Sequence, residues 1–87
     1  MSYKVVFTKH ALKDAKRISS AGLKDNAAKL LDILKENPYK NPPHYEKLVG
    51  NLSGAYSRRI NIQHRLVYQI LEDEKTVKVL RMWSHYE

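Results

Sequence analysis

The stretch that decides the fold is Arg65-Leu66-Val67-Tyr68-Gln69-Ile70-Leu71. Leu66, Tyr68 and Ile70 fall on one side of an extended chain and Arg65, Val67 and Gln69 on the other, the two-residue period of a strand. Upstream, Ala55 to Ile62 alternates in the same way. Tyr56, Arg58, Ile60 and Ile62 share one face, and Ser57, Arg59 and Asn61 share the other. Downstream, Glu72-Asp73-Glu74-Lys75 reads as a charged hairpin loop and Thr76 to Trp83 as a last strand, followed by the tail Ser84-His85-Tyr86-Glu87. Connections this short join antiparallel strands. Glu46 to Val49, closed by Gly50-Asn51, adds a short strand ahead of the Ser53-Gly54 turn.

Towards the N-terminus the period changes. Tyr3, Val5 and Phe7 alternate with Lys4 and Val6 as a short strand, after which Thr8 is placed to cap a helix. Ala11, Leu12, Ala15 and Ile18 form the apolar face of that helix, which ends at Ser19-Ser20-Ala21-Gly22. Leu23, Ala27, Leu30, Leu31 and Leu34 stripe a second helix, stopped at Asn37-Pro38 because proline disfavours helical geometry in the residue before it. The 3 prolines, Pro38, Pro42 and Pro43, all lie in the following loop. The order β-α-α-β-β-β-β predicts an α+β fold of two layers. An antiparallel twisted sheet of four to five strands is covered on one face by an N-terminal helical hairpin. With 87 residues the chain forms one domain, 1–87, and no internal repeat divides it.

Composition narrows the class. There is no cysteine to build a disulfide framework or a Cys-ligated zinc site. A hydrophobic fraction of 43% and a mean hydropathy of −0.60 fit a small globular domain. No apolar run approaches the ~18 residues a membrane span needs. Lys4, Lys9, Lys13, Asp14, Lys16 and Arg17 interrupt any secretory signal, so a cytoplasmic protein is expected. Lys and Arg number 16 against 9 Asp and Glu, a net charge of +7. That excess favours a polyanionic partner, although solubility alone accounts for it equally well.

The helices can cover only one sheet face. Parity puts Arg65 opposite the Leu66, Tyr68 and Ile70 set, on a face expected to be open, with Arg59 a candidate neighbour. The 4 histidines, His10, His44, His64 and His85, show no metal-ligand spacing, and no nucleophile elbow or phosphate loop is present. What remains is acid–base chemistry from Glu46, Arg65 and His85. Such groups suffice for metal-free RNA cleavage: a base on the ribose 2′-hydroxyl, a guanidinium on the charged transition state, an acid on the departing 5′-oxygen. Taken singly, each has an ordinary reading as a solvated acid, a surface arginine and an exposed terminal histidine. Lys9, Lys13, Lys16 and Arg17 read as a solvated helix face.

The run Asn51-Leu52-Ser53-Gly54-Ala55-Tyr56-Ser57-Arg58-Arg59-Ile60, followed by His64-Arg65-Leu66-Val67-Tyr68 and the ending Ser84-His85-Tyr86, resembles the YoeB/Txe family of bacterial toxins. That family belongs to the RelE/ParE-like toxins of type II toxin–antitoxin modules. The resemblance implies a ribosome-dependent endoribonuclease that cuts mRNA in the A site without a cofactor or metal. It implies Glu46 as general base, His85 as general acid, Arg65 on the phosphate and Tyr86 positioning the substrate. Lys47, Arg59, Lys9, Lys13, Lys16 and Arg17 become candidates for RNA and ribosome contacts. A cognate antitoxin of YefM/Axe type, with an acidic C-terminal segment, is the implied protein partner. Dimers among relatives make a homodimer a further expectation, and no membrane is involved. Two departures stand out: Val49 replaces a lysine of some relatives, where adjacent Lys47 is a candidate substitute, and Trp83-Ser84 replaces Arg-Tyr. Alternatives are a ParE-like toxin with another target and a non-enzymatic ribosome- or nucleic-acid-binding module.

Overall fold

The computed structural model describes residues 2–48 and 54–82. Within them the chain runs β1 (Lys4–Phe7), α1 (Lys9–Ser20), α2 (Lys24–Glu36), β2 (Glu46–Lys47), β3 (Ala55–Arg59), β4 (Arg65–Leu71), a 3-10 turn (Glu72–Glu74) and β5 (Thr76–Arg81). The strands form a single sheet in the order β1-β5-β4-β3-β2. From β2 to β5 it is the expected antiparallel meander. The first strand departs from that pattern. β1 lies parallel to β5, with Lys4 opposite Thr76 and Phe7 opposite Val79, so the sheet is mixed rather than antiparallel throughout. The pairing continues into the junction after β1. Thr8 donates its backbone N–H to Val79 O at 3.1 Å and its hydroxyl to Leu80 O at 3.0 Å, binding the start of α1 to the end of β5.

The same Thr8 oxygen accepts from the Ala11 N–H at 3.0 Å, the cap expected from the sequence. Such a cap contributes about 1 kcal/mol. At the other end of α1, Leu23 N–H reaches Ile18 O and Gly22 N–H reaches Ser19 O, with Gly22 at φ +78. This left-handed turn ends the helix, satisfies its last carbonyls and reverses the chain into α2. Both helices pack on one sheet face: Ala11, Ile18, Ala27, Leu30 and Leu34 meet Leu66, Tyr68, Val77, Val79 and Met82.

Some boundaries shift. Leu12 is 54% exposed while Asp14 is only 3% exposed, so the inner face of α1 runs through Ala11, Asp14 and Ile18. Asp14 is tolerated there because its Oδ2 accepts from Arg81 Nε at 2.8 Å and from the Met82 N–H at 3.1 Å. β3 stops at Arg59, and Ile62, expected on the inner face, is 87% exposed. Asn61 Oδ1 accepts from the N–H groups of Gln63 and His64 at 2.8 and 2.7 Å and bends the chain before a further strand residue can form. The predicted strand end at Val49, the turn at Gly50-Asn51 and the tail from Trp83 onward lie outside the described residues.

Arg58 is 1% exposed and faces the helix layer with Tyr68. Its Nε donates to Tyr68 Oη at 2.9 Å, Nη1 to Pro43 O at 2.6 Å, and Nη2 to Pro38 O and Lys40 O, both at 2.9 Å. Its guanidinium carbon stands 4.8 Å from the Tyr45 ring centroid. The guanidinium fork therefore ties the proline loop to the sheet. We expect Arg58→Met to lower the unfolding free energy by about 3 kcal/mol or more, because four oxygens lose their buried donor. Urea titration measures this, and an unchanged midpoint would contradict the anchor.

Burial alone would push the Asp14 carboxyl up. The hydrogen bonds from Arg81 and Met82 and the charges of Arg81 and Arg17 outweigh it and hold the carboxyl below its ordinary value of 3.8. A carboxyl depressed on folding adds stability that is fully present above the unfolded pKa and is lost as pH falls through the folded one. Asp14→Asn should therefore be less stable than the parent at neutral pH. The gap should narrow as pH falls below about 4, the ordinary range for Asp, followed by thermal unfolding across the acid range.

Candidate functional site

The face of the sheet turned away from the helices is built by register. Glu46 lies opposite Ser57, Ser57 opposite Val67, and Arg59 opposite Arg65. Residues paired across a ladder point the same way, so Glu46, Ser57, Arg59, Arg65 and Val67 share this face. β2 is the edge strand, and only two residues of it are paired. Glu46 is thus held in place by β3 on one side and by the loop anchored on Arg58 just before it.

Arg65 Nη1 donates to Glu46 Oε1 at 3.0 Å and to Ser57 Oγ at 3.5 Å. The Arg65 side chain is 29% exposed and that of Glu46 54%. The pair is therefore open to an incoming group. Arg59, exposed at the end of β3, is directly opposite Arg65. Like charges in that position repel each other, and an anion between them would relieve the repulsion. The arrangement can take a phosphate on two guanidinium groups with a carboxylate beside it.

The face is less open than expected from the sequence. Ala55, Ser57 and Val67 are 2%, 1% and 2% exposed, so the middle of the face is closed, while Glu46, Arg59, Arg65 and Lys78 around it stay accessible. Lys47 lies opposite Tyr56, on the helix side of the sheet, and does not join Glu46. Lys9, Lys13, Lys16 and Arg17 are exposed on α1, in the layer across the sheet from Arg65. His85 and Tyr86 lie outside the described residues. Among the described residues no group of three or more His, Cys, Asp or Glu is gathered in metal-binding fashion. No helix among them is long and apolar enough to cross a membrane.

Ser57 is the residue of this site that residue type alone does not single out. The signal available was its parity with Arg59 and Asn61, which puts it on the face of Arg65.

A helical hairpin packed on one face of a five-stranded sheet is a fold this chain shares with solved bacterial toxins of toxin–antitoxin systems. A chain of the heterotetrameric YoeB–YefM toxin–antitoxin complex from Staphylococcus aureus superposes with a TM-score of 0.80 at 30% identity, over 99% of this protein and 100% of that chain. The toxin YoeB of Streptomyces coelicolor is 32% identical over 85 residues, covering 95% of this chain and 99% of its own length. The toxin YoeB of Mycobacterium bovis is 40% identical over 58 residues, covering 67% of this chain and 66% of that protein. The family model for YoeB-like toxins of bacterial type II toxin–antitoxin systems matches residues 7–86. The protein belongs to this family and is a type II toxin.

An exposed ion pair contributes about 0–1 kcal/mol to stability. Glu46→Ala and Arg65→Ala should accordingly leave the thermal midpoint within a few degrees of the parent. Scanning calorimetry of the two variants checks this, and collapse of either would mark the pair as structural.

Proposed function

We propose that this toxin is a ribosome-dependent endoribonuclease that cuts mRNA in the A site, without a metal ion, and so arrests translation in the cytoplasm. The observation that carries the reading is the exposed Glu46–Arg65 pair with Arg59 in register beside it. Membership of the YoeB-like family supports it.

The chemistry needs a base, a charge-stabilising donor and an acid. Glu46 takes the proton from a ribose 2′-hydroxyl. The 2′-oxygen attacks the adjacent phosphorus, and the bond to the 5′-oxygen breaks. The products are a 2′,3′-cyclic phosphate and a 5′-hydroxyl end. As the phosphate arrives, Arg65 exchanges part of its contact with Glu46 for the phosphoryl oxygens, which frees the carboxylate to act as base and places positive charge where negative charge builds. His85 protonates the departing 5′-oxygen, and Tyr86 positions the substrate. The ribosome holds the 2′-oxygen in line with the scissile bond, the positioning that a flat, partly exposed site does not supply by itself.

Docking falls to other cations. Lys9, Lys13, Lys16 and Arg17 on α1 grip ribosomal RNA, and Arg59 assists at the substrate backbone. The S. aureus relative was solved with YefM. By extension, a cognate antitoxin with an acidic C-terminal segment neutralises this toxin, and the toxin self-associates as a dimer.

Glu46→Ala, Arg65→Ala and His85→Ala should each slow cleavage of a ribosome-bound message by about 100-fold or more while ribosome binding persists. Primer extension on translated message, with and without a chelator, reads the new 5′ ends. Full activity in all three variants would sink the reading, and loss of cutting by the parent in chelator would remove the metal-free part of it.

A further inference from the structure

The end of β5 is held by α1 with unusual density. Four consecutive residues each have an anchor. Val79 O accepts from Thr8 N–H and Leu80 O from the Thr8 hydroxyl. Arg81 Nε and the Met82 N–H both donate to the Asp14 carboxylate. Met82 is itself buried, at 2% exposure, in the core beneath the helices.

Burying a carboxylate on the inner face of a helix is costly unless it is paired and hydrogen-bonded. Asp14 has both, and its partners are Arg81, the last residue of β5, and Met82 just after it. An apolar residue at this position would pack as well without gripping that strand end.

The register shows why the grip matters. A row of paired residues runs from Glu46 through Ser57 and Val67 to Arg81. β5 therefore ends level with Glu46 on the sheet. A bulge between Val67 and Tyr68 breaks the regular pairing there, a device that re-aims side chains. Arg81 turns to the helix layer and meets Asp14. His85 follows three residues after Met82, a reach of about 10 Å at full extension. Fixing Met82 thus fixes the point from which the segment bearing His85 departs.

We infer that Asp14 is a positioning residue for the reaction: by clamping Arg81 and Met82 to α1 it sets where the C-terminal segment bearing His85 begins. This rests on the proposed role of His85 as general acid. It also makes α1 a bifunctional element, carrying docking cations on its outer face and the clamp for the acid on its inner one.

The test is a double-mutant cycle in single-turnover cleavage of ribosome-bound message, run well below the unfolding midpoint of every variant. Asp14→Asn keeps the shape and removes the charge that holds Arg81. It should slow the chemical step by about 10- to 100-fold, the scale for a reacting group misplaced by about an ångström. Its affinity for the ribosome should stay within about twofold of the parent, since the docking cations are untouched. In a His85→Ala background the same substitution should cost less than about threefold, because the group it positions is gone. A parental rate for Asp14→Asn, or the same loss in both backgrounds, overturns the inference. If Asp14→Asn does not fold, exposed Arg81→Gln replaces it in the cycle, with the same pattern expected and the same results overturning it. His85→Ala alone reads the underlying proposal: full activity there overturns the role of the tail and the inference with it, whereas equal losses on an impaired His85→Ala background overturn the inference only.

Discussion

One buried guanidinium organises the part of the molecule on which the site depends. Arg58 lies between the sheet and the proline loop and satisfies four oxygens, three of them loop carbonyls. The loop that leaves α2 at Asn37 and reaches the edge of the sheet at Glu46 has no helix or strand ladder of its own to pair its carbonyls. Its carbonyls would otherwise compete for water. Arg58 gathers those of Pro38, Lys40 and Pro43, with the Tyr45 ring beside it and the Tyr56 and Tyr68 rings stacked at 5.8 Å alongside. Hydrogen bonds to a charged group are individually worth about 1.5–3 kcal/mol. The next residue after Tyr45 is Glu46. The order of the site therefore descends from Arg58 through the loop to the edge strand.

Of the 16 basic residues, six group on two surfaces. Lys9, Lys13, Lys16 and Arg17 belong to the helix layer, and Arg59 and Arg65 to the opposite sheet face. The first group is solvated and spread along α1, suited to a large polyanion. The second sets two guanidinium groups opposite each other beside a carboxylate, suited to a single phosphate. Arg65 is shared between Glu46 and whatever anion arrives. Because the ion pair is partly exposed, breaking it costs little, so a competing phosphate can exchange with it readily.

The two helices do more than bury the sheet. α1 is joined to β5 through Thr8 at its start and through Asp14 one and a half turns further on, so the last strand and the first helix behave as one body. β1, joined to α1 through Thr8 alone, lies beside β5 in the same body. The Thr8 cap could be read from the chain, whereas the second use of its hydroxyl, on Leu80 O, could not.

Local pattern alone determined the element order, the capped first helix, the proline stop after the second, the antiparallel meander and the face of Arg65. Each of these depends on side-chain periodicity or on backbone preferences within a few residues. The family followed from motifs that are contiguous in the chain. Tertiary structure decided what depends on contacts between distant segments. It set β1 parallel to β5 and Lys47 on the far face from Glu46. Ile62 is the exception, turned outward for a local reason, an Asn61 turn that overrode the strand period. Tertiary structure also made Asp14 and Arg58 interior residues. Both sit at inward positions of their elements, i+3 from Ala11 and between Tyr56 and Ile60. A charged residue at such a position reads as polar until its partners are known, and those partners lie 67 residues away for Asp14 and Arg81, and 15 to 20 for Arg58 and the loop carbonyls. A charge is stable in the interior only when folding delivers its counterpart, and that pairing is a property of the assembled chain.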